Sequence, residues 1–284
     1  MTHLPSRKSL LSQFLVPFER RSAKVGAAIL VVFFILILIG PFLVPYSPNV
    51  ASGKANAPPS LDHPFGTDFL GKDVLSEVIY GAYPSMLVGI AAALGATLVG
   101  LIAGVMAGYF NRLEGWLTGT TDIVMTFPPI PFMVLLGSIY YPSQALIVLI
   151  LVVVLWPPIA RSIRSQIMTV KKLPYVDAAR TSGMKDRQII MGIMLPEVTA
   201  IAVAYFVLVV AAAIVLVAAL EFIGVGNPDV VSWGSMLYWA QSFAFYNGDW
   251  WWILAPGVSI TLVATGFALI GFSIEEVMNP RLIS

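Results

Sequence analysis

The sequence DAARTSGMKDRQIIMGIMLP occupies residues 177–196, where a polar, basic island gives way to a long apolar segment. The island covers residues 161–190, and another apolar segment precedes it. It contains seven basic residues, namely Arg161, Arg164, Lys171, Lys172, Arg180, Lys185 and Arg187. A charged, ordered loop between two apolar segments predicts a membrane protein whose loop contacts a soluble partner.

The composition of the whole chain is typical of a membrane protein. Of its 284 residues, 58% are hydrophobic and only 11% are charged, unlike an ordinary soluble domain. Five segments are apolar over about the 20 residues that cross a bilayer: 25–44, 82–110, 118–139, 197–220 and 253–274. A sixth, 145–160, is interrupted by Trp156-Pro157-Pro158 and predicts one kinked helix over about 144–170. The sequence therefore predicts an all-α membrane protein with six transmembrane helices.

The charge distribution predicts the orientation of these helices. The first apolar segment is expected to be a retained helix, because it exceeds the about 7–15 apolar residues of a signal peptide. With the N-terminus inside, segments 1–24, 111–117, 161–196 and 275–284 face the cytoplasm and hold 14 of the 16 Lys and Arg residues. The external segments hold only Lys54 and Lys72. The positive-inside rule therefore places both termini in the cytoplasm.

The predicted spans carry no titratable side chain at mid-membrane. Asp122 and Glu221 lie near the ends of their segments, where caps or headgroup contacts are favoured and the lining of a path is the alternative. A self-contained secondary transporter usually needs a charged group within the membrane, and a membrane enzyme needs a catalytic cluster. The chain also has no Cys and no GxxxxGK[ST] phosphate loop. The sequence favours a subunit driven by a partner, and a structural or assembly subunit stays open.

Small residues recur every four positions in the second span, at Ala92, Ala96, Gly100, Gly104 and Gly108. On a helix they form one stripe that allows close approach of another helix. Tight packing within the bundle is the favoured interpretation. The alternative is a stripe that faces a sister subunit or a translocation path.

The island itself predicts a short lateral helix. Pro174 suits a first helical turn, Asp177 lies near the positive end of the helix, and Gly183 is a good C-terminal break. A second helical stretch is predicted to begin at residues 185–188 and to enter the membrane near Pro196. The small residues Ala178 and Ala179 would let the lateral helix lie in a groove of another protein. A solvated basic loop would explain the charges without explaining these small residues.

Several ordered motifs carry a family resemblance. Asp177-Ala178-Ala179, three residues, Gly183, nine residues and Ile193-x-Leu195-Pro196 match an EAA loop, with Asp in place of the usual Glu. The other motifs are Phe65-Gly66-Thr67-Asp68, Gly71-Lys72-Asp73-Val74-Leu75, Tyr80-Gly81-Ala82, Trp156-Pro157 with Ala160-Arg161, Phe222-Ile223-Gly224-Val225-Gly226, Ser232-Trp233-Gly234 and Asn279-Pro280-Arg281-Leu282. Together they resemble the C-type permeases of binding-protein-dependent ABC importers for dipeptides, oligopeptides and nickel. The resemblance covers residues from about 25 to the C-terminus.

This resemblance implies a type I ABC importer permease fold with a cytoplasmic coupling helix. Residues 1–80 would form the N-terminal segment, first helix and external loop, and residues 81–284 a five-helix core with an EAA-type loop at 172–196. A sister permease would complete a heterodimer in the cytoplasmic membrane, two cytoplasmic ATPases would hold ATP and Mg²⁺, and a binding protein would deliver the substrate outside. No enzymatic activity, cofactor or nucleic-acid partner is expected for this chain. The residues implied in ATPase coupling are Tyr175, Asp177, Ala178, Ala179, Arg180, Gly183, Ile193, Leu195 and Pro196.

The segment between the last two spans is rich in aromatic residues, including Trp233, Trp239 and Trp250. An interfacial aromatic belt is the favoured interpretation, and an external gate or cap beneath the binding protein is the alternative. Only His3 and His63 are present, so no metal site is expected within the chain. Peptides are the substrate that the resemblance favours, with oligosaccharides or nickel as alternatives.

Overall fold

The structure is a computed structural model that describes residues 20–139 and 143–278, and most of the described chain is helical. Its α-helices, in chain order, are α1 (Arg21–Leu43), α2 (Val74–Tyr109), α3 (Asn111–Thr126), α4 (Pro129–Ile139), α5 (Gln144–Val170), α6 (Pro174–Thr181), α7 (Asp186–Ile189), α8 (Leu195–Phe222), α9 (Trp233–Asn247) and α10 (Trp250–Met278). A π-helical turn, Ile190–Met194, joins α7 to α8. The predicted motif at residues 279–282, His3 and the chain before residue 20 lie outside the described residues.

Five helical segments of the described chain are long and apolar enough to cross a membrane, and the bent pair α3–α4 makes six if it counts as one span. The segment α7–π turn–α8 runs as one span, Asp186–Phe222. These findings confirm the predicted all-helical membrane protein. The predicted third span, residues 118–139, differs from a single straight helix because α3 and α4 meet at 91°.

Two prolines explain this bend. The helix α3 ends at Thr126, and Phe127 takes an extended conformation ahead of Pro128 and Pro129. Proline disfavours a helical conformation in the residue before it and cannot donate a backbone hydrogen bond. The chain therefore leaves α3 and restarts as α4 in a new direction.

The helix α2 begins eight residues before the predicted span at 82–110. Asp73 caps it, since its side chain accepts a hydrogen bond from the Ser76 N–H at 2.8 Å. His63 supports this cap, with Nδ1 3.0 Å from the other Asp73 carboxylate oxygen. The first two turns of α2 are thus helical although they contain polar residues that end the apolar run.

The helix α2 forms the centre of the bundle and packs along α5 and α8, while α1 packs against α10. At the α1–α10 crossing a Cβ on Gly26 would lie 2.6 Å from the carbonyl oxygen of Gly266, so a larger residue would push the two helices apart. On the outer side of α1, Leu38 and Phe42 are exposed, as expected of side chains that face lipid. The predicted helix over 144–170 is confirmed as α5, which continues through Pro157-Pro158, and the predicted kink stays a prediction.

Candidate functional site

The EAA-type loop, residues 172–196, contains the lateral helix that the sequence predicts. The helix α6 begins at Pro174, after Leu173 in an extended conformation, and carries Asp177 in its first turn and Arg180 in its last turn. Both charges complement the helix dipole. Because α6 has only two turns, its stability must come from its contacts and its ends.

The C-terminal end of α6 is a Schellman motif. Gly183 has a φ of +83°, and its N–H donates to the Arg180 carbonyl at 3.0 Å. The Met184 N–H donates to the Ala179 carbonyl at 3.1 Å. A Cβ on Gly183 would meet nothing within 4 Å, so glycine is required by the left-handed backbone and not by crowding.

One fully buried side chain, Val176, holds α6 against the bundle, and Ile189 of α7 is buried beside the same cluster. This cluster joins the adjacent ends of α2, α5 and α8, and its buried members include Tyr109, Ile163, Ile167, Val170, Met194 and Val198. Through Val176 the lateral helix therefore joins an apolar cluster to which three long helices contribute.

Tyr109, the last residue of α2, adds a polar link to the loop. Its hydroxyl donates to Asp186 Oδ1 at 2.6 Å, and the Arg180 guanidinium lies 5.5 Å from the centre of its ring. Lys171 Nζ donates to the Tyr109 carbonyl at 2.7 Å and to Asn111 Oδ1 at 2.8 Å. Sequence reasoning missed Tyr109, and the only signal for it is its position directly after Gly108 in the small-residue stripe.

The outer face of α6 is exposed. Tyr175, Asp177, Ala178 and Arg180 all lie on it, whereas Ala179 is half-buried. The Asp177 and Arg180 side chains approach only to 4.0 Å, so neither is held by a strong ion pair. Burial raises the pKa of the Tyr175 hydroxyl, and the nearby Glu197 carboxylate raises it further. This face offers a carboxylate, a guanidinium and small residues to whatever covers it.

The last predicted residues of the EAA-type loop lie at the π-helical turn. Ile193 and Leu195 are half-buried against the Val176 cluster, and Pro196 is exposed. Pro196 lacks an N–H and its ring would crowd the carbonyl of Gly192 in a regular α-helix. The wider π-helical turn before it, closed by the Leu195 N–H donating to the Ile190 carbonyl, is compatible with that ring.

The small-residue stripe faces α5 of the same chain. A Cβ on Gly100, Gly104 or Gly108 would lie 2.7 Å from the Cβ of an isoleucine on α5, in turn Ile159, Ile163 and Ile167. Ala96 and Ala92 continue the stripe and are fully buried. The structure therefore places the stripe in a close helix–helix contact.

The three predicted external tryptophans occupy different environments. Trp233 is fully buried, and its indole N–H donates to the Val78 carbonyl at 2.9 Å. Trp239 is half-exposed and stacks on Phe69 with ring centres 5.7 Å apart. Trp250 is exposed at the start of α10. Trp233 thus packs α9 onto α2, and only the other two can meet a ligand or lipid directly.

The two interfacial acids of the sequence analysis also differ in environment. Asp122 is exposed and accepts a hydrogen bond from Arg161 at 2.7 Å, which ties α3 to α5. Glu221 is buried at the end of α8 and accepts one from the Ser232 hydroxyl at 2.7 Å. A Cβ on Gly234 would collide with the Glu221 carboxylate. Within residues 20–139 and 143–278, no three His, Asp or Glu side chains are grouped to hold a metal ion.

The comparisons with known proteins agree with this arrangement. Residues 96–284 match the family of binding-protein-dependent transport system inner membrane components, and residues 18–59 match the N-terminal transmembrane domain of oligopeptide transport permease C. The chain belongs to the first of these families, and it is a multi-pass permease of the inner membrane.

Its relatives are similar over nearly their whole length. A protein of Brucella suis biovar 1, named as a peptide transport system permease, is 33% identical over 93% of this chain and 89% of its own. The dipeptide transport system permease protein DppC of Bacillus subtilis is 34% identical over 93% of this chain and 83% of its own. DppC of Alkalihalophilus pseudofirmus is 32% identical over 94% of this chain and 88% of its own.

Proposed function

We propose that this chain is one permease subunit of an ATP-driven importer that moves peptides from an external binding protein into the cytoplasm by alternating access. The observation that carries the proposal is the exposed face of α6, a preformed helix whose Val176 is buried in an apolar cluster shared by three membrane helices. Family membership makes an importer the class, and the names of the relatives favour peptides over oligosaccharides or nickel.

Residues 175–183 are the coupling segment of this proposal. Asp177 and Arg180 would make polar contacts in a groove of the ATPase, and Ala178 would allow close approach. Movement of the ATPase would pass through Val176 and Tyr109 into α2, α5 and α8. ATP and Mg²⁺ would be bound by the two ATPase subunits and not by this chain.

The membrane arrangement follows from the same proposal. Arg20 pairs with Glu276, so the start of α1 and the end of α10 lie at one side of the bundle. The basic residues of the EAA-type loop favour the cytoplasm for their own side of the membrane. Both termini would be cytoplasmic, and a sister permease would complete a heterodimer.

Native co-purification in mild detergent tests the assembly. We expect a second permease and one or two ATPases to be recovered with this chain, together with a binding protein whose ligand can be identified by mass spectrometry. A peptide ligand supports the substrate assignment, whereas a sugar or nickel ligand contradicts it. A chain that purifies alone, reproducibly, contradicts the importer assignment.

Two variants test the coupling segment within that complex. Asp177→Lys reverses an exposed charge, and we expect it to lower ATPase recovery about tenfold, as the loss of a charged hydrogen bond would. Gly183→Pro cannot adopt the φ of +83° and removes the N–H that closes α6, so we expect insertion without transport-coupled ATP hydrolysis. Asp62→Lys, in an exposed position of the external loop, is the matched control. Normal transport in both variants would exclude α6 as the coupling helix.

A further inference from the structure

A cavity of about 210 Å³ lies at the end of the bundle opposite α6, between the external loop, the first turn of α2 and the start of α9. We call it the outer cavity. Its walls include Phe69, Lys72, Glu77, Asp229, Trp239 and Trp252. It is far larger than the roughly 10–15 Å³ that one water molecule needs. Of these wall residues, Trp239 and Trp252 belong to the aromatic segment that the sequence analysis considered as an external gate.

Glu77 is the unusual member of this wall. Its side chain is only 6% exposed, and its Oε2 atom has no hydrogen-bond partner among the described residues. Glu77 lies in the first turn of α2, and that turn supplies no donor to Oε2. A buried carboxylate oxygen without a partner is costly, so Glu77, which lines the cavity, is suited to turn this oxygen toward a hydrogen-bond donor inside it.

The opposite wall is aromatic. Phe69 stacks on Trp252 and Phe243 as well as on Trp239, with ring centres 5.5 Å and 4.2 Å away for the first two. Trp239 lines the cavity and is 39% exposed, so its ring can also be reached from outside the bundle. Aromatic faces attract cations, and ammonium groups are bound in this way where a carboxylate lies nearby.

The charges around the outer cavity favour a cation over an anion. Three acids, Asp68, Glu77 and Asp229, lie on its walls with a single base, Lys72. One oxygen of the Asp68 carboxylate, Oδ1, already accepts hydrogen bonds from the backbone N–H groups of Leu70 and Lys72 at 2.8 and 2.7 Å. Asp229 is exposed to solvent, so Glu77 is the buried acid of the three with a carboxylate oxygen that lacks a partner.

The groups that line the outer cavity also favour an ammonium ion over a divalent metal ion. A divalent metal ion takes six or more oxygen ligands, and no three acidic or histidine side chains of the described chain are grouped to supply them. A primary ammonium needs few acceptors and gains from aromatic neighbours. We propose that the outer cavity binds a primary ammonium group, and that its occupant is the amino-terminal ammonium of a short peptide leaving the binding protein. The identity of the occupant rests on the peptide-importer proposal, whereas the ammonium site does not.

Binding to the purified importer complex in nanodiscs, without binding protein, tests this proposal by saturation-transfer NMR. The probes are trialanine, N-acetyl-trialanine and ethylammonium. We expect trialanine and ethylammonium to bind and the acetylated peptide, which lacks the charge, to bind at least tenfold more weakly. Equal binding of trialanine and its acetylated form would overturn the proposal.

Three variants assign the binding to the cavity. Glu77→Gln keeps the shape of the side chain, and we expect it to weaken the binding of both ammonium probes about tenfold to a hundredfold. Asp62→Asn removes an exposed acid from the same external loop and should leave binding unchanged. Trp239→Leu removes part of the aromatic wall, and we expect it to weaken binding of the ammonium probes too. Because Trp239 is half-exposed, this variant can still test the site if the Glu77→Gln complex does not assemble.

The outcomes separate this inference from the proposed function. Unchanged ammonium binding in Glu77→Gln and Trp239→Leu overturns the site, even in a complex that imports peptides. Suppose that ethylammonium binding depends on Glu77 but that the binding protein carries no peptide. The ammonium site is then supported, and the assignment of a peptide as its occupant is contradicted.

Discussion

The packing of α2 on α5 at Gly104 gives a quantitative prediction. A Cβ at Gly104 would lie 2.7 Å from both the Ala160 carbonyl oxygen and the Ile163 Cβ. Carbon atoms in favourable contact are about 3.5–4.0 Å apart, so α5 must move away by about 1 Å. Because one neighbour is backbone, a change of rotamer cannot relieve the contact. We expect Gly104→Ala to cost about 1–3 kcal/mol in packing.

A matched variant separates this packing cost from helix propensity. Gly115 lies within α3, and a Cβ there would meet nothing within 4 Å. Gly115→Ala gains the same propensity, up to about 1 kcal/mol, without the collision. The difference in unfolding free energy between the two variants should therefore equal the packing cost, with Gly104→Ala the less stable.

An SDS titration of the full chain in mixed micelles, followed by tryptophan fluorescence, measures both free energies. A thermal assay of the assembled complex gives an independent ranking. Equal stability of Gly104→Ala and Gly115→Ala would refute the close contact between α2 and α5. The alternative, a stripe that faces a sister subunit or a translocation path, would then be favoured.

Two further stability predictions use the same titration. Trp233→Phe removes the indole N–H that donates to the Val78 carbonyl, which keeps its partner within α2, so we expect a loss of about 0.5–1.5 kcal/mol, and no loss at all would contradict that hydrogen bond. Asp122→Asn removes an ion pair to Arg161 whose side chains are 57% and 52% exposed, so we expect a change below about 1 kcal/mol that vanishes at high salt. A larger, salt-independent loss would show that this pair is shielded from solvent.

The EAA-type loop could be predicted because it contains residues that begin and end helices. Pro174 and Gly183 mark the two ends of α6 because one fixes φ and the other supplies a left-handed conformation. Likewise, α5 matches its predicted bounds because its apolar run and its polar end lie on one continuous helix. In such places the local sequence and the tertiary structure require the same conformation.

Hydropathy did not predict the helix bounds where a proline or a helix cap determines them. The average over 118–139 is apolar, so the break at Phe127-Pro128 is hidden within it. The start of α2 is set by the cap at Asp73 and not by the apolar run, which is why Glu77 was left outside the predicted helix. Tyr109 could not be predicted as a link because Asp186, its partner, is 77 residues away.

The contact of the glycine stripe with α5 has a mechanical consequence. Three isoleucines of α5 pack against three glycines of α2 with no space between them. The two helices therefore resist sliding and are expected to move as one rigid body. A displacement of α6, transmitted through Val176, would reach the other end of this helix pair. There Asp73 and Trp233 hold α2 to the outer loop and to α9.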